Sequence, residues 1–477
     1  CTIRPATYYN ILKSVNINGY TQPGSSPNTL TTDQGLDTVL KIVVHGTLSA
    51  GATFSLSNHR GSEIQGMAIT NTNPGTGNFR SVAVSVYNHD NSSDPGHSIK
   101  GVFIGTDEKG EETVGEIRRA MAISLANNVQ LGGVKPEDRN LLMPSEDGIY
   151  ARNADALVIE GNLIGTDITG NNYSGMTQSM INFVTVTNSR IGTEQPGGRN
   201  VLSGAASAWS IYMYNSMGNQ VSNNMIGATV AEQVIPQSSR GIYVLDSSNN
   251  DIKGNTISAT NTGVSVFKWQ SSADNNILQG NYIGVNSAGS LLSAGSIGVY
   301  VYGVGNLLGG INTGEGNVIA NYTKGIIVGS ELAPGVFAVG NTISGNAIYN
   351  NATLGIDLGG SNGVSLNDEL DSDLGGNHLQ NFPVVTVATA NSLTGTLSSE
   401  VNKEYRIELF ANTECGASGY GSGEQFLGYV DVTTDSSGTA TFSMNVSLSV
   451  GTIVTATATD MSSGNSSEFS ECKLVNN

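Results

Sequence analysis

Residues 367–377, NDELDSDLGGN, carry the densest group of side chains that could hold a metal ion, with Asp368, Asp371 and Asp373 among Asn and Gly. Ca²⁺ takes about six to eight oxygen ligands, which closely spaced Asp and Asn side chains in a glycine-containing loop can supply. The spacing is not that of an EF-hand. We therefore expect Ca²⁺, the one cofactor that the sequence suggests, at these three residues, with Asp357 as a fourth ligand. The alternative is an acidic interdomain loop whose Asp side chains cap turns.

Aromatic residues recur at one position of a short phrase, Gly-Ile-Tyr or a variant of it. Successive side chains of a strand face opposite sides, so the Ile or Val of this phrase faces inward and the Tyr outward. Exposed rings on a polar surface can stack on the CH face of sugars, whereas the alternative is that they shield the sheet and stack on one another. The candidate glycan-binding residues are Tyr150, Tyr212, Tyr243, Tyr300 and Trp269.

The sequence offers little evidence for a catalytic site. Repeat carboxylates such as Asp107, Asp167 and Asp246 fall at turns, where Asp is common for conformational reasons. A nucleophile elbow, a phosphate-binding loop and a Cys-x-x-Cys motif are all missing from the sequence. Whether the chain is an enzyme stays open, and we favour binding without catalysis.

Charge and hydropathy exclude several kinds of partner. The net charge is −18, from 39 acidic and 21 basic residues, and such a field repels nucleic acid and anionic lipid. No apolar run approaches the roughly 18 residues that a transmembrane segment needs. Only 13% of the residues are charged, so Asn, Ser and Thr form most of the polar surface, which suits an extracellular or cell-surface location.

The three cysteines have different expected roles. Cys415 and Cys472 lie in the last quarter of the chain, where a β-sandwich could bridge them in an oxidising compartment. Cys1 is then left over. A chain that starts with Cys resembles a processed bacterial lipoprotein, so Cys1 is a candidate lipid anchor, and the alternative is a free or trimmed terminus.

Internal repeats predict the architecture. An Ile-Gly pair recurs with a nearly constant period, at Ile104, Ile164, Ile226 and Ile283. A fixed period is the signature of a repeat fold. Short strands with alternating apolar residues recur about every 20 to 23 residues, so we expect about three coils per period and roughly 17 coils in all. The pattern predicts an all-β, right-handed parallel β-helix (a solenoid) over residues 15–383, preceded by an N-terminal cap or arm at residues 1–14.

Two further features complete the predicted fold. Asparagines at coil corners are expected to form a ladder whose side chains bond to turn backbone and tolerate left-handed φ angles; they are Asn162, Asn224, Asn255, Asn281, Asn341 and Asn346. About seven alternating strands follow Pro383 within about 90 residues, which is typical of an immunoglobulin-like β-sandwich over residues 384–477.

These phrases together resemble a family of bacterial secreted or surface right-handed parallel β-helix repeat proteins. The matching pieces are IGTD at residues 104–107 and 164–167, LGG…GNVI at 308–319, the junction GIDLGG…LQNFPV at 355–384, and ELFANTEC and SSEFSEC in the tail. The resemblance covers most of the chain. It implies a β-helix joined to an immunoglobulin-like domain outside the cell or at its surface, and it implies no defined reaction.

We therefore expect an extracellular or cell-surface structural or adhesive protein. Its partner would be a surface glycan or another copy of itself, the latter in a filament. The alternative is a carbohydrate-active enzyme, a polysaccharide lyase or glycoside hydrolase, that acts on the β-helix face.

Overall fold

The computed structural model describes residues 1–46, 52–71, 81–89, 96–115, 117–173, 175–204, 208–235, 238–333, 335–359 and 363–477. The chain divides into two compact units. Unit 1 comprises Cys1–Val244 and Lys253–Thr260, and unit 2 comprises Leu245–Ile252 and Asn261–Asn477. Each unit is described by itself.

Unit 1 consists of coils that each contribute one strand to three parallel sheets. The strands of sheet 1 are Thr2–Ile3, Val43–Gly46, Ala68–Asn71, Phe103–Ile104, Leu141–Leu142, Leu163–Ile164, Val201–Leu202, Met225–Ile226 and Thr256–Ile257. Those of sheet 2 are Tyr9–Ile11, Ala52–Ser57, Val82–His89, Arg119–Ala126, Asp147–Asp155, Ile181–Thr187, Trp209–Tyr214 and Arg240–Leu245, whose last residue belongs to unit 2. Those of sheet 3 are Asn16–Asn18, Glu63–Gln65, Ser98–Lys100, Gln130–Gly132, Val158–Glu160, Arg190–Ile191 and Gln220–Ser222.

Unit 2 begins with coils of the same kind. Sheet 1 here has Tyr282–Ile283, Val318–Ala320 and Ala347–Tyr349, and sheet 2 has Thr262–Phe267, Gly295–Tyr302, Tyr322–Val328 and Leu354–Leu358. Sheet 3 has Asp251–Lys253 (its last residue belongs to unit 1), Ile277–Gln279, Leu307–Gly309 and Thr342–Ser344. A hairpin pairs Glu331–Ala333 with Val336–Phe337. The 3₁₀ turns among the described residues of both units are Gly19–Thr21, Pro136–Asp138, Glu369–Asp371 and Gly376–Leu379. The predicted right-handed parallel β-helix is confirmed.

The period of the Ile-Gly repeat contains two coils, not the three that we expected. Phe103, Leu141, Leu163, Val201 and Met225 occupy successive places in sheet 1, so long coils that start at positions 103 and 163 alternate with short coils that start at 141 and 201. Each of these long coils contains an Ile-Gly motif, at Ile104 or Ile164, and also the loop that ends just before Asn140 or Asn200. The predicted count of 17 coils was therefore wrong: the described strands of sheet 1 number nine in unit 1 and three in unit 2.

The recurring glycine of the Ile-Gly motif is required by backbone packing. Gly105 and Gly165 have φ angles of 78° and 75°, which disfavour any residue with a Cβ. A Cβ on Gly165 would also lie 2.0 Å from the carbonyl oxygen of Ser203 in the next coil. The sequence motif thus marks the point where one coil touches the next.

The asparagine ladder is confirmed in both units. In unit 1, each amide nitrogen donates to the amide oxygen of the next member at 2.9–3.0 Å, along Asn140, Asn162, Asn200, Asn224 and Asn255. Unit 2 contains two such ladders, Asn250–Asn276–Asn306–Asn341 and Asn281–Asn317–Asn346. The expectation of left-handed φ was wrong for the ladder members: in the pairs 223–224, 249–250 and 275–276 it is the first Asn that has positive φ.

Residues 1–14 contain two of the three strands of the first coil. Thr2–Ile3 pairs in parallel with Val43–Gly46, and Tyr9–Ile11 pairs with Ala52–Ser57. Their apolar side chains line an open cavity of about 390 Å³ that also includes Phe54 and Met67. The first coil thus continues the stack and leaves part of its core accessible.

Residues 384–477 form two antiparallel sheets around one core. One sheet contains Val384–Ala388, Ser392–Ser398 and Thr439–Asn445, and the other contains Gln425–Thr433, Glu404–Asn412, Ile453–Asp460 and Lys473–Leu474. Side chains from both sheets, such as Leu393, Phe442, Ile407 and Ala456, are buried together. This β-sandwich has the seven strands that the sequence predicts.

Within unit 2, the sandwich covers the edges of the last coil. At sheet 3, Ile343 N donates to Ser466 Oγ at 2.8 Å; at sheet 1, Ile348 and Gly423 exchange two backbone hydrogen bonds of 2.7 Å. At sheet 2, the Glu468 carboxylate accepts from Leu358 N at 2.9 Å. Open sheet edges invite unwanted pairing, so the sandwich caps the β-helix in addition to any role of its own.

Among the described residues, no helix has the length and apolar character that crossing a bilayer requires.

Candidate functional site

The outward face of sheet 2 collects most of the aromatic residues that the sequence singles out. In unit 1, Tyr150 is the register partner of Asn182, which in turn partners Tyr212. In unit 2, Tyr300 partners Ser265. Their neighbours in sequence, such as Ile149, Ile211 and Val299, are buried. The pattern of inward aliphatic and outward Tyr therefore holds in both units.

Unit 1 contains an aromatic group that we call the Trp209 cluster, formed by Trp209, Tyr212 and Tyr243. The Trp209 and Tyr243 rings stack with centroids 4.6 Å apart, and Tyr212 meets Tyr243 edge-on at 5.6 Å. The Arg240 guanidinium lies 5.7 Å from the Trp209 ring centroid, within the range of a cation–π contact. Trp209 was not among the predicted residues, although it stands only three residues before Tyr212.

Unit 2 contains a second group, the ring platform, formed by Phe267, Trp269, Tyr300 and Tyr302. Phe267 lies 4.9 Å from Tyr302, 6.1 Å from Tyr300 and 6.4 Å from Trp269, with interplanar angles of 26–29°. Tyr300 and Tyr302 are tilted by only 10°. The four rings stack on one another and form one continuous apolar group. Burial, and then the neighbouring Tyr302, raises the pKa of Tyr300.

Trp269 is the most exposed member of the platform, with 71% of its surface accessible. Its loop is held by Asp246, which is buried. The Asp246 carboxylate accepts from the backbone N–H groups of Trp269, Gln270 and Ser271 at 2.6–3.1 Å. Because three backbone N–H groups are bonded in this way, the backbone that carries the indole is already ordered, which lowers the entropy cost of binding.

Tyr150 is covered by a cation. The Arg119 guanidinium lies 4.0 Å from the Tyr150 ring centroid and pairs with Asp147 at 2.8 Å. Arg152, two residues after Tyr150, is exposed. This part of sheet 2 therefore combines a ring with positive charge, although the chain as a whole is acidic.

Three of the four predicted metal ligands come together. Asp368, Asp371 and Asp373 each offer a carboxylate oxygen, and these atoms lie within 4.8 Å of one another. Burial, and then repulsion from Asp368 and Asp373, raises the pKa of Asp371 to about 6, although hydrogen bonds from Ser399 and Asn381 oppose the shift. Asp373 Oδ1 is buried and has no hydrogen-bond partner among the described residues. Three mutually repelling carboxylates fit the donor set that Ca²⁺ prefers.

Asp357 is not part of this group. It lies in the strand Leu354–Leu358, is fully buried and pairs with Lys324. The prediction of Asp357 as a fourth Ca²⁺ ligand was therefore wrong. Its carboxylate does not lie with the other three and is paired with Lys324 instead. Nothing in the one-dimensional spacing could indicate that pairing.

The cysteines lie as follows. Cys415 and Cys472 form a disulfide with Cα atoms 6.0 Å apart, at the pair that the sequence suggests. Cys1 is exposed as a free thiol. Lipid attachment at Cys1 stays a prediction.

Comparisons with known proteins agree with the fold class. The family model for the right-handed β-helix region matches residues 126–304. No curated protein matches the chain.

Three solved structures illustrate the likeness. The enzymatically active domain of tailspike protein 2 from bacteriophage CBA120 is 11% identical, with a TM-score of 0.37 and coverage of 99% of this chain and 72% of that one. A variant of the periplasmic alginate epimerase is 13% identical, with a TM-score of 0.32 and coverage of 66% and 76%. The DFA-IIIase of Arthrobacter chlorophenolicus A6 is 13% identical, with a TM-score of 0.32 and coverage of 75% and 73%. At these values the likeness carries no information on substrate or activity.

Proposed function

We propose that this chain is an extracellular or cell-surface structural and adhesive protein that binds glycans through the outward face of sheet 2. The observation that carries the proposal is the ring platform of unit 2, with an exposed Trp269 whose backbone is held by Asp246. Flat rings suit the CH faces of pyranose sugars, and their partial burial against one another holds them in place before a ligand arrives. The Trp209 cluster of unit 1 is a second surface of the same kind.

The repeat phrases and the C-terminal sandwich support the narrower assignment. The Ile-Gly-Thr-Asp motifs and the sandwich are the features on which the resemblance to bacterial secreted β-helix proteins rests, and we propose an immunoglobulin-like topology for the sandwich. A disulfide within it suits an oxidising compartment.

The test is a glycan screen with two readouts, binding and the release of new reducing ends or unsaturated uronates. We expect binding without product. Trp269→Ala should weaken binding of any hit by about tenfold or more, because an anchoring aromatic contributes about 1.4–2 kcal/mol or more. Product release would favour the alternative, a polysaccharide lyase or glycoside hydrolase, and silence in both readouts would remove the glycan from the proposal.

The chain offers a matched control for Tyr150. Tyr429 of the sandwich is exposed and has a guanidinium at the same distance, since Arg406 lies 4.0 Å from its ring and pairs with Asp431. Tyr150→Ala should reduce glycan binding, whereas Tyr429→Ala should leave it unchanged. Equal losses in the two variants would contradict a site on sheet 2.

We also propose Ca²⁺ as a structural cofactor at Asp368, Asp371 and Asp373. The cation would offset the burial and the repulsion from Asp368 and Asp373, which together raise the pKa of Asp371. It would also stiffen the segment that leads into the sandwich. Asp371 and Asp368 already bond to that segment, through Asn381 N at 2.9 Å and Ser372 Oγ at 2.7 Å.

Self-association is the second kind of partner that we propose. Among the described residues, the strands of the first coil lie at the ends of their three sheets. Ile3, Tyr9 and Leu12 are exposed there, next to the open apolar cavity. A second copy could cover this end and begin a filament. Sedimentation of the wild type and of Leu12→Glu over a concentration series tests the proposal, and a monomer at all concentrations would contradict it.

A further inference from the structure

A partly buried lysine and a fully buried aspartate meet on the last two strands of sheet 2 in unit 2. Lys324 lies in Tyr322–Val328 and Asp357 in Leu354–Leu358, and the strands are parallel, with Ile327 as the register partner of Asp357. Lys324 Nζ forms an ion pair with Asp357 Oδ2; the two side chains are 16% and 0% exposed. Both carboxylate oxygens of Asp357 are buried. The amine and the carboxyl group are thus in contact where water has little access.

Such a pair is costly to keep ionised. Moving two charges out of water carries a desolvation penalty that their attraction repays only in part. Transfer of one proton from the ammonium to the carboxylate would remove both charges and with them this penalty. A neutral amine in contact with a neutral carboxylic acid is the reactant pair for amide formation.

A third titratable group lies nearby. Glu468 is buried, and its carboxylate accepts from the N–H groups of Leu358, the residue after Asp357, and Ser365 at 2.9 and 3.0 Å. Burial, and more weakly the charge of Asp357, raises the pKa of Glu468 to about 7, against the opposing hydrogen bonds. A group with such a pKa is present in both protonation states at neutral pH, as proton exchange requires.

We propose that Lys324 and Asp357 condense into an intramolecular amide that covalently joins the last two coils. After proton transfer, Lys324 Nζ attacks Asp357 Cγ and forms the N–C bond. A second proton moves from nitrogen to the departing hydroxyl, the Cγ–O bond breaks, and one water leaves. One ammonium and one carboxylate become one amide and one water, so no oxidant, reductant or co-reactant is needed.

The fold supplies what the reaction lacks in solution. Holding two reacting groups in contact is equivalent to an effective concentration on the order of 10⁵ M or more in well-oriented cases. The product carries no charge, which removes the desolvation penalty of the ion pair. Glu468 acts as a positioning residue, because it fixes the backbone beside Asp357 and adds a proton-exchanging group to the surroundings.

The cross-link goes beyond glycan binding and is independent of it. It joins the coil that ends at Val328 to the coil that the sandwich caps. An adhesive protein under tension would otherwise lose these strands one after another, since strands of a repeat fold are held only by their neighbours. A covalent amide cannot be separated by such peeling.

The test is the mass of the intact wild-type chain under denaturing conditions. We expect a mass lower than that of the disulfide-bonded sequence by one water, and after digestion a branched peptide that links Lys324 to Asp357. Lys324→Arg keeps the cation but removes the nucleophile and should restore the full mass. Lys403→Arg is the matched control: Lys403 pairs with Asp460 at 3.1 Å in the sandwich but is more exposed, so its loss should leave the deficit unchanged.

The outcomes separate cleanly. A wild-type mass equal to that of the disulfide-bonded sequence means an ion pair only and overturns the proposal, whether or not any variant folds. A deficit that persists in Lys324→Arg also overturns it. Glu468→Gln should accumulate chain without the deficit, and complete cross-linking in that variant would remove the role given to Glu468. None of these readouts depends on glycan binding.

Discussion

Arg139 is expected to hold in place residues 22–41 of unit 1, the long segment that connects the first coil to the second. Its side chain is 1% exposed, and its guanidinium donates to five backbone carbonyls. Four belong to the segment around residues 30–35, at 2.7–3.3 Å, and the fifth is Gly161 O at 3.4 Å. Burial lowers the pKa of Arg139 to about 10, so the group stays charged at neutral pH.

The expected loss follows from these bonds. A hydrogen bond to a charged group contributes about 1.5–3 kcal/mol, and a buried partner left unsatisfied costs about 1–3 kcal/mol. Removal of the guanidinium also removes its own desolvation penalty, and the exposed parts of the segment can bond to water instead. We therefore expect Arg139→Met to reduce the free energy of unfolding of unit 1 by about 3–5 kcal/mol. Arg139→Lys should lose about half as much, because one ammonium cannot span five carbonyls.

The assay combines urea unfolding with limited proteolysis by a protease of broad specificity. Cleavage within residues 22–41 should appear in Arg139→Met and be absent from the wild type. Arg199→Met is the control, since Arg199 precedes a ladder Asn as Arg139 does but has one described side-chain hydrogen bond, to Asn223 Oδ1 at 3.2 Å. An unfolding free energy within about 1 kcal/mol of the wild type, without new cleavage, would refute this reasoning.

Three further predictions concern pH, the ladder and Ca²⁺. The pKa of Glu468 in the folded protein is about 7, above its value in the unfolded chain. Its contribution to the free energy of unfolding is therefore complete below about pH 4.5 and is lost as the pH rises to about 7, a change of about 3 kcal/mol. Calorimetry from pH 4 to 8 should show this dependence of stability on pH reduced in Glu468→Gln but not in Glu471→Gln, the control at an exposed site. Asn200→Ala removes four buried side-chain hydrogen bonds and should cost about 3–5 kcal/mol in urea unfolding, whereas Asn171→Ala, on an exposed loop, should be nearly neutral. Ca²⁺ should raise the melting temperature of the chelator-treated wild type but not of Asp371→Asn/Asp373→Asn, and absence of both heat and shift in the wild type would contradict the site.

Much of the fold could be predicted because local backbone requirements leave traces in the sequence. Gly165 and its equivalents need a positive φ and close contact with the next coil, so the Ile-Gly pair recurs wherever that contact recurs. Ladder residues such as Asn162 and Asn224 each need a side chain that donates and accepts at a buried corner, and the short Asn side chain carries both an acceptor oxygen and two N–H donors. Each requirement falls on one residue type that returns in successive coils, so the sequence displays it as a repeat.

Features that depend on pairing between distant residues could not be predicted. The number of coils per period depends on the lengths of the loops. Long and short coils alternate, so an average strand spacing shows the length of neither. Arg139, Asp357 and Glu468 owe their surroundings to segments that are far away in the sequence. Their residue types alone suggest exposed charges, and only the fold buries them.

Side chains that the fold does not require are the most informative about function. Inward positions of sheet 2 are restricted to apolar residues by the core, but its outward column accepts Asn182, Ser265 and Ala122 beside Tyr150 and Tyr300. The fold therefore does not require rings at these positions, and Trp269, with 71% of its surface exposed, gains little from burial. We expect Trp269→Ala to change the melting temperature negligibly, because surface substitutions outside caps and cores fall within about 0.5 kcal/mol. If the same variant loses glycan binding, the ring is present for the ligand; if it instead lowers stability, the platform is packing and the site must be sought elsewhere.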